Sequence, residues 1–195
     1  LIIFLSDHGD YTGYYDVVEK AQNTFEDCIT NVPLVIKPPS WAKVKPGVNT
    51  TLTELVDMYA TVLDYTDTTA PETHFGHSLK DVIAGDVVEH REYVFCEGGR
   101  RLDEHHCNSA AAGTDETSIY YPRFKMQATD ACSKGTMMRN HDYKYVYRMK
   151  EQDELYDLRT DQHEVHNLAG IPAYLSLVAE MKDRMLQWYQ ETCDI

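Results

Sequence analysis

The sequence predicts an α/β fold followed by a small α+β subdomain with an antiparallel sheet and a C-terminal helix. Three observations carry this. The chain opens on an apolar run, Leu1–Leu5, that stops at Ser6-Asp7-His8-Gly9-Asp10, as a strand buried on both faces of a parallel sheet would. A second apolar stretch, Pro33–Lys37, ends at Pro38-Pro39 and is followed by helical spacing. From about Asp86 the pattern becomes alternating, with short strands and one final helix. The chain accordingly divides into residues 1–85, the α/β part, and residues 86–195, the antiparallel-sheet part.

The elements follow in order. Pro33–Lys37 cannot extend its ladder past the two prolines. Thr51-Leu52-Thr53-Glu54 has the form of a capping box. Leu52, Leu55, Val56, Tyr59, Val62 and Leu63 then recur at helical spacing, predicting a helix over 51–65. Asp57 within it reads as a polar contact or part of a solvated face. Ser78–Ala84 is a short helix stopped by Gly85. Glu92–Glu97 alternates as a strand, and Gly98–Ala131 is long enough to be a functional insert.

Strands are then predicted at Gly135–Arg139, Tyr143–Met149 and Glu154–Asp157, with Asn140-His141-Asp142 as the hairpin turn. Tyr143, Tyr145 and Tyr147 share one face, and Lys144, Val146 and Arg148 the other. Pro172 suits the first turn of a closing helix whose apolar face is Leu175, Val178, Met181, Met185, Leu186 and Tyr189.

Composition excludes several classes of function. The net charge is −14, from 32 acidic and 18 basic residues, which argues against nucleic acid or an anionic membrane as partner. No apolar run approaches the roughly 20 residues that span a bilayer. The five cysteines are widely spaced and without C-x-x-C pairs, which fits reduced thiols better than a disulfide framework. The compartment stays open between cytoplasmic and periplasmic or secreted.

Chemistry is expected just past the first strand, where ligands sit in open α/β sheets. Asp7 and His8 are of metal-ligating type, and Lys20 supplies a mobile cation for an anionic substrate. Other candidates carry weaker signals. His105-His106-Cys107 with Cys96 lacks zinc-finger spacing. His74 and His77 read as loop residues, Gly98-Gly99-Arg100-Arg101 as a solvated turn, and Lys134 as a residue before the sheet.

These residues resemble a family. "FLSDHGDYTG", with the later "FEDCITNVPLVIKPP", "ELVDMYATVLDY", "HREYVFCEGG" and "RNHDYKYVYRMKEQDELYDLRTDQHEVHNLA", is similar to the second metal-binding segment and the later segments of the sulfatases, in the same order. The resemblance implies the C-terminal part of an alkaline-phosphatase-like sandwich for residues 1–85. It also implies Asp7 and His8 as ligands of a divalent metal (Ca, Mg or Mn), and Lys20 as a catalytic contact to the sulfate group of a sulfate ester. The family's Cys/Ser-x-Pro-x-Arg segment, which yields the formylglycine nucleophile, occurs nowhere in the sequence. This chain alone is therefore expected to be inactive.

Where the family shows an acidic residue, an aromatic and a glycine, this chain has Tyr14-Tyr15-Asp16. Two alternatives stand beside the sulfatase reading. One is a phosphodiester or phosphonate hydrolase of the same superfamily. The other is a non-catalytic interaction fragment, forming a homo-oligomer through an exposed sheet edge.

Overall fold

A computed structural model describes residues 1–21, 23–101 and 130–192. The chain forms two compact units. The first comprises Leu1–Asp7, Val32–Val94 and Asp183–Ile195, and the second His8–Asn31 and Phe95–Lys182.

In the first unit, β1 (Ile2–Leu5) pairs with β2 (Leu34–Lys37). The sequence predicts a buried parallel strand here, and the structure corrects both points. The pair is antiparallel, with Ile3 opposite Ile36 and Phe4 opposite Val35. Ile2 and Phe4 are 62% and 63% exposed. An apolar run shows that a strand is suited to burial, but it does not choose the direction of the neighbour. Among the described residues, Ile2, Phe4 and Val35 make an uncovered apolar face.

The next helix, α2, spans Asp57–Tyr65 and so begins six residues later than the capping-box reading expects. Thr51 does not cap it, because its Oγ1 accepts from the His90 backbone N–H at 2.7 Å. Val56 stands at the N-cap without a side-chain cap bond, and Asp57, the first helical residue, reaches back to accept on Oδ2 from the Glu54 N–H at 2.9 Å. The inward face is also not the predicted apolar one. Asp57, Ala60, Thr61 and Tyr65 are buried, whereas Leu55, Val56, Tyr59 and Val62 are exposed. Thr61 Oγ1 explains part of this: it donates to the Asp57 carbonyl at 2.7 Å and accepts from the Leu79 N–H at 2.9 Å. That bond ties α2 to the start of α3 (Lys80–Ala84), which ends at Gly85 with φ 77° as expected.

The second unit begins with a short α1, Asp27–Thr30. Its sheet runs in the order β3 (Val94–Gly98), β4 (Gly135–Arg139), β5 (Tyr143–Arg148), β6 (Glu154–Asp157). The β4–β5 and β5–β6 pairs are antiparallel, as the alternation predicts. Asn140 makes the hairpin turn by accepting on Oδ1 from the N–H groups of Asp142 and Tyr143, at 2.9 and 2.8 Å. Phe25, Met137 and Val146 form a buried cluster, with Cys96 packed against it.

The other face holds Tyr145 and Leu155, both fully buried, with the Tyr145 hydroxyl donating to Asp153 at 2.7 Å. Lys144 is also fully buried, which alternation alone does not foretell. The closing helix α4 (Leu175–Thr192) follows a 3-10 turn at Pro172–Tyr174. Val178, Met181 and Met185 are buried, whereas Leu175 and Leu186 are exposed, so the apolar stripe is narrower than predicted.

No helix among the described residues is long and apolar enough to cross a membrane. Most of the predicted insert, and His105-His106-Cys107 within it, lies outside the described residues.

Candidate active site

The site is built on the loop that follows β1. Asp7 is exposed just past the strand, at the end of its segment of the first unit. His8 begins the second unit. Gly9 then passes very close to α1: its N–H donates to the Ile29 carbonyl at 2.8 Å. A Cβ on Gly9 would lie 1.9 Å from the Cys28 carbonyl oxygen. Only glycine allows the backbone to run there.

His8 meets Lys20. The imidazole Nε2 lies 2.6 Å from Lys20 Nζ, and Nδ1 lies 2.8 Å from the Gly9 carbonyl oxygen. A carbonyl can only accept, so Nδ1 carries the proton and donates to it. Nε2 is then the acceptor of a bond from the Lys20 ammonium. The geometry thus defines a neutral imidazole that aims a partly buried cation. It brings together two of the three residues singled out from the sequence.

The loop between them is anchored twice. Tyr11 is buried and its hydroxyl donates to Glu26 Oε2 at 2.6 Å. At the tip, Tyr14 Oη lies 2.8 Å from His163 Nδ1, and the Tyr15 hydroxyl donates to the His163 carbonyl. His163 stands 149 residues from Tyr14, and no sequence spacing points to that tie.

The remaining candidates have structural partners. The His77 N–H donates to Asp57 Oδ1 at 2.8 Å. Burial, and then Arg91 beside it, hold the His77 imidazole below its ordinary pKa. The His74 ring packs edge-on against Tyr59, centroids 5.3 Å apart. Gly99 has φ 76°, and a Cβ there would lie 2.2 Å from the Ser133 carbonyl oxygen. Arg100 donates its N–H to the Cys132 carbonyl at 2.9 Å. The Gly98–Arg100 stretch therefore closes backbone against backbone. Lys134 is exposed before β4.

Among the described residues, no group of three or more His, Cys, Asp or Glu side chains is placed to hold a metal. Both ring nitrogens of His8 are engaged by protein groups. A hard divalent ion wants roughly six donor atoms, so the donor set present here does not hold one by itself.

Comparison with known proteins agrees with this architecture. Residues 105–191 match the family described as N-sulphoglucosamine sulphohydrolase, C-terminal. A multifunctional alkaline phosphatase superfamily protein of Trinickia caryophylli is 29% identical over 192 residues, covering 96% of this chain and 34% of that protein. A delta 4,5-hexuronate-2-O-sulfatase of Bacteroides thetaiotaomicron is 26% identical over 183 residues, covering 92% of this chain and 32% of that protein. The structure of a phosphonate monoester hydrolase from Silicibacter pomeroyi superposes with a TM-score of 0.73 at 25% identity, covering 100% of this chain and 35% of that one.

The chain spans about a third of the length of the curated relatives it matches. Fold and sequence are both similar to those of alkaline-phosphatase-superfamily proteins, with an α/β architecture. Along its length the chain is similar to the C-terminal portion of sulfatases.

Proposed function

We propose that the complete polypeptide carrying this chain is a sulfuric ester hydrolase, with Lys20 contacting the sulfate group. The observation that carries this reading is the Lys20–His8 contact at the end of β1. An ammonium held in a fixed direction can balance charge on the non-bridging sulfate oxygens as the ester bond breaks, with little reorganisation during the reaction. His8 Nε2 accepts a hydrogen bond from the Lys20 ammonium in this arrangement, and a metal on that nitrogen would leave Lys20 to the sulfate oxygens alone. In this proposal the nucleophile is a formylglycine supplied from polypeptide outside these residues.

Asp7 and His8 are proposed as two ligands of a divalent ion (Ca, Mg or Mn), the remaining ligands coming from elsewhere in the polypeptide. For His8 this requires Lys20 to release Nε2. No catalytic step is assigned to the metal here.

The test is steady-state hydrolysis of 4-nitrophenyl sulfate by the complete polypeptide. Lys20→Ala is expected to lower kcat/KM by about 10²-fold, in the range seen when one preorganised donor to a developing oxyanion is lost. The 195-residue chain alone is expected to show no turnover. An unchanged kcat/KM in Lys20→Ala, or hydrolysis by the isolated chain, would overturn the assignment.

A second reading has specific support. The structural likeness to a phosphonate monoester hydrolase favours a hydrolase of phosphonate monoesters or phosphodiesters, in which Lys20 would face phosphoryl oxygens by the same electrostatics.

A further inference from the structure

The short helix α1 cannot hold its own place. Its four residues are too few for a helix that stands without outside ties. The N-cap residue, Glu26, makes no side-chain cap bond, and its carboxylate instead takes the Tyr11 hydroxyl at 2.6 Å. The ties come from the sheet and meet at Asp27, the first helical residue. Arg139 Nη1 donates to both Asp27 oxygens at 2.7 Å. Lys144 Nζ donates to Asp27 Oδ1 at 2.6 Å and to the Phe25 carbonyl, just before the helix, at 2.9 Å.

From Asp27 a continuous line of contacts runs to Lys20. Two residues along α1, the Ile29 carbonyl accepts from the Gly9 N–H at 2.8 Å. The Gly9 carbonyl accepts from His8 Nδ1 at 2.8 Å, and His8 Nε2 lies 2.6 Å from Lys20 Nζ. Every member belongs to the second unit. The line has little slack, because Gly9 already runs so close to the Cys28 carbonyl that a Cβ would overlap it. The same cluster reaches the tip of the loop. Lys144 donates to Glu164, and the preceding residue, His163, engages the Tyr14 and Tyr15 hydroxyls.

We infer that Asp27 is a positioning residue for the His8–Lys20 pair, held between Arg139 and Lys144 and acting through α1 and Gly9. It sets where the imidazole and the ammonium sit and is not itself a catalytic residue. Its bearing on catalysis rests on the sulfate-ester reading above. A misplaced charge stabiliser loses rate even when the group itself is kept.

The test is a double-mutant cycle in the complete polypeptide, with 4-nitrophenyl sulfate as substrate. Asp27→Asn keeps the volume and one acceptor oxygen while removing the charge that draws both cations. It is expected to lower kcat/KM about tenfold when Lys20 is present, and no more than about twofold in the Lys20→Ala background. A role in overall stability alone would lower kcat/KM by the same factor in both backgrounds, and that result would overturn the inference. Arg139→Gln leaves Lys144 in place. It is expected to repeat the pattern at about threefold, and it decides the matter if Asp27→Asn does not fold.

Hydrogen exchange, read by mass spectrometry over residues 8–20, needs no turnover. Asp27→Asn is expected to speed exchange there about tenfold while β6 exchanges at the wild-type rate. If the wild type hydrolyses no sulfate ester, the sulfatase reading has failed and exchange decides the positioning alone. Unchanged exchange over residues 8–20, or an equal rise in β6, would remove it.

Discussion

Lys144→Met is expected to destabilise the protein by about 3–5 kcal/mol at pH 7, the range for breaking a buried ion pair from one side. Lys144 is 0% exposed. Its Nζ donates to the Phe25 carbonyl at 2.9 Å, to Asp27 Oδ1 at 2.6 Å and to Glu164. Removing the cation leaves the buried Glu164 carboxylate without a counter-charge, while Asp27 keeps Arg139 at 2.7 Å.

The pH dependence separates this from simple cavity formation. Burial raises the Glu164 pKa to about 7, against the opposing pull of Lys144. A carboxyl raised in the folded state contributes stability that is present below its unfolded value and is lost as pH rises through about 7. Without Lys144 that loss deepens. Denaturant unfolding should therefore give a larger difference between Lys144→Met and wild type at pH 8 than at pH 5. Asp27 has the opposite sign. Burial opposes its ionisation, but Lys144 and Arg139 outweigh it and hold the carboxyl below the usual range. Its contribution is present above the unfolded carboxyl value and is lost as pH falls through the lower folded one. A difference under about 1 kcal/mol, equal at pH 5 and 8, would show that the buried charge cluster does not hold this unit together.

The second large effect is expected at Asp57. Its side chain is fully buried. It accepts from the N–H groups of Glu54 and His77, from Arg91 Nε at 3.0 Å and from Arg91 Nη2. His90 Nε2 lies 3.2 Å from it. Asp57→Ala leaves two backbone donors without this acceptor, and leaves Arg91 paired with Glu54 at 3.3 Å and with the Phe75 carbonyl.

A loss of about 3–5 kcal/mol at pH 7 is expected in urea unfolding. Burial opposes ionisation of Asp57, but Arg91 and the two N–H groups hold its carboxyl below the ordinary value. Stability from a depressed carboxyl is present above its unfolded pKa and lost as pH falls through its folded one. The gap between wild type and Asp57→Ala should narrow below about pH 4. Asp57→Asn keeps one acceptor oxygen and should cost less than Asp57→Ala. A cost near zero for Asp57→Asn would mean that the carboxylate acts only by filling space.

The parts of this architecture that could be read from sequence are those set by local chemistry. Strands β4 to β6 follow from alternation, and their turn from Asn140, whose side chain closes it within three residues. Gly85 ends α3 by adopting a backbone angle that few other residues accept. The start of α2 was not legible, because the hydroxyl that would cap it at Thr51 is spent on His90, 39 residues away. Lys144 alternates like a surface lysine, and its partners Asp27 and Glu164 lie 117 and 20 residues away.

The direction of β1 depends on its neighbour, which no apolar count specifies. At the site, residue type and family resemblance single out Asp7, His8 and Lys20 as candidates. The direct His8–Lys20 bond and the tie from Tyr14 and Tyr15 to His163 were not, because both depend on where the loop folds back.

In the proposed function, Lys20 is the cation that serves sulfate ester hydrolysis. The most direct measurement sets kcat/KM for 4-nitrophenyl sulfate beside that for a 4-nitrophenyl phosphonate monoester, in the complete polypeptide and in Lys20→Ala. The sulfate ester is expected to be preferred, and Lys20→Ala to lower kcat/KM for it by about 10²-fold. A preference for the phosphonate monoester, or a sulfatase rate indifferent to Lys20, would contradict it.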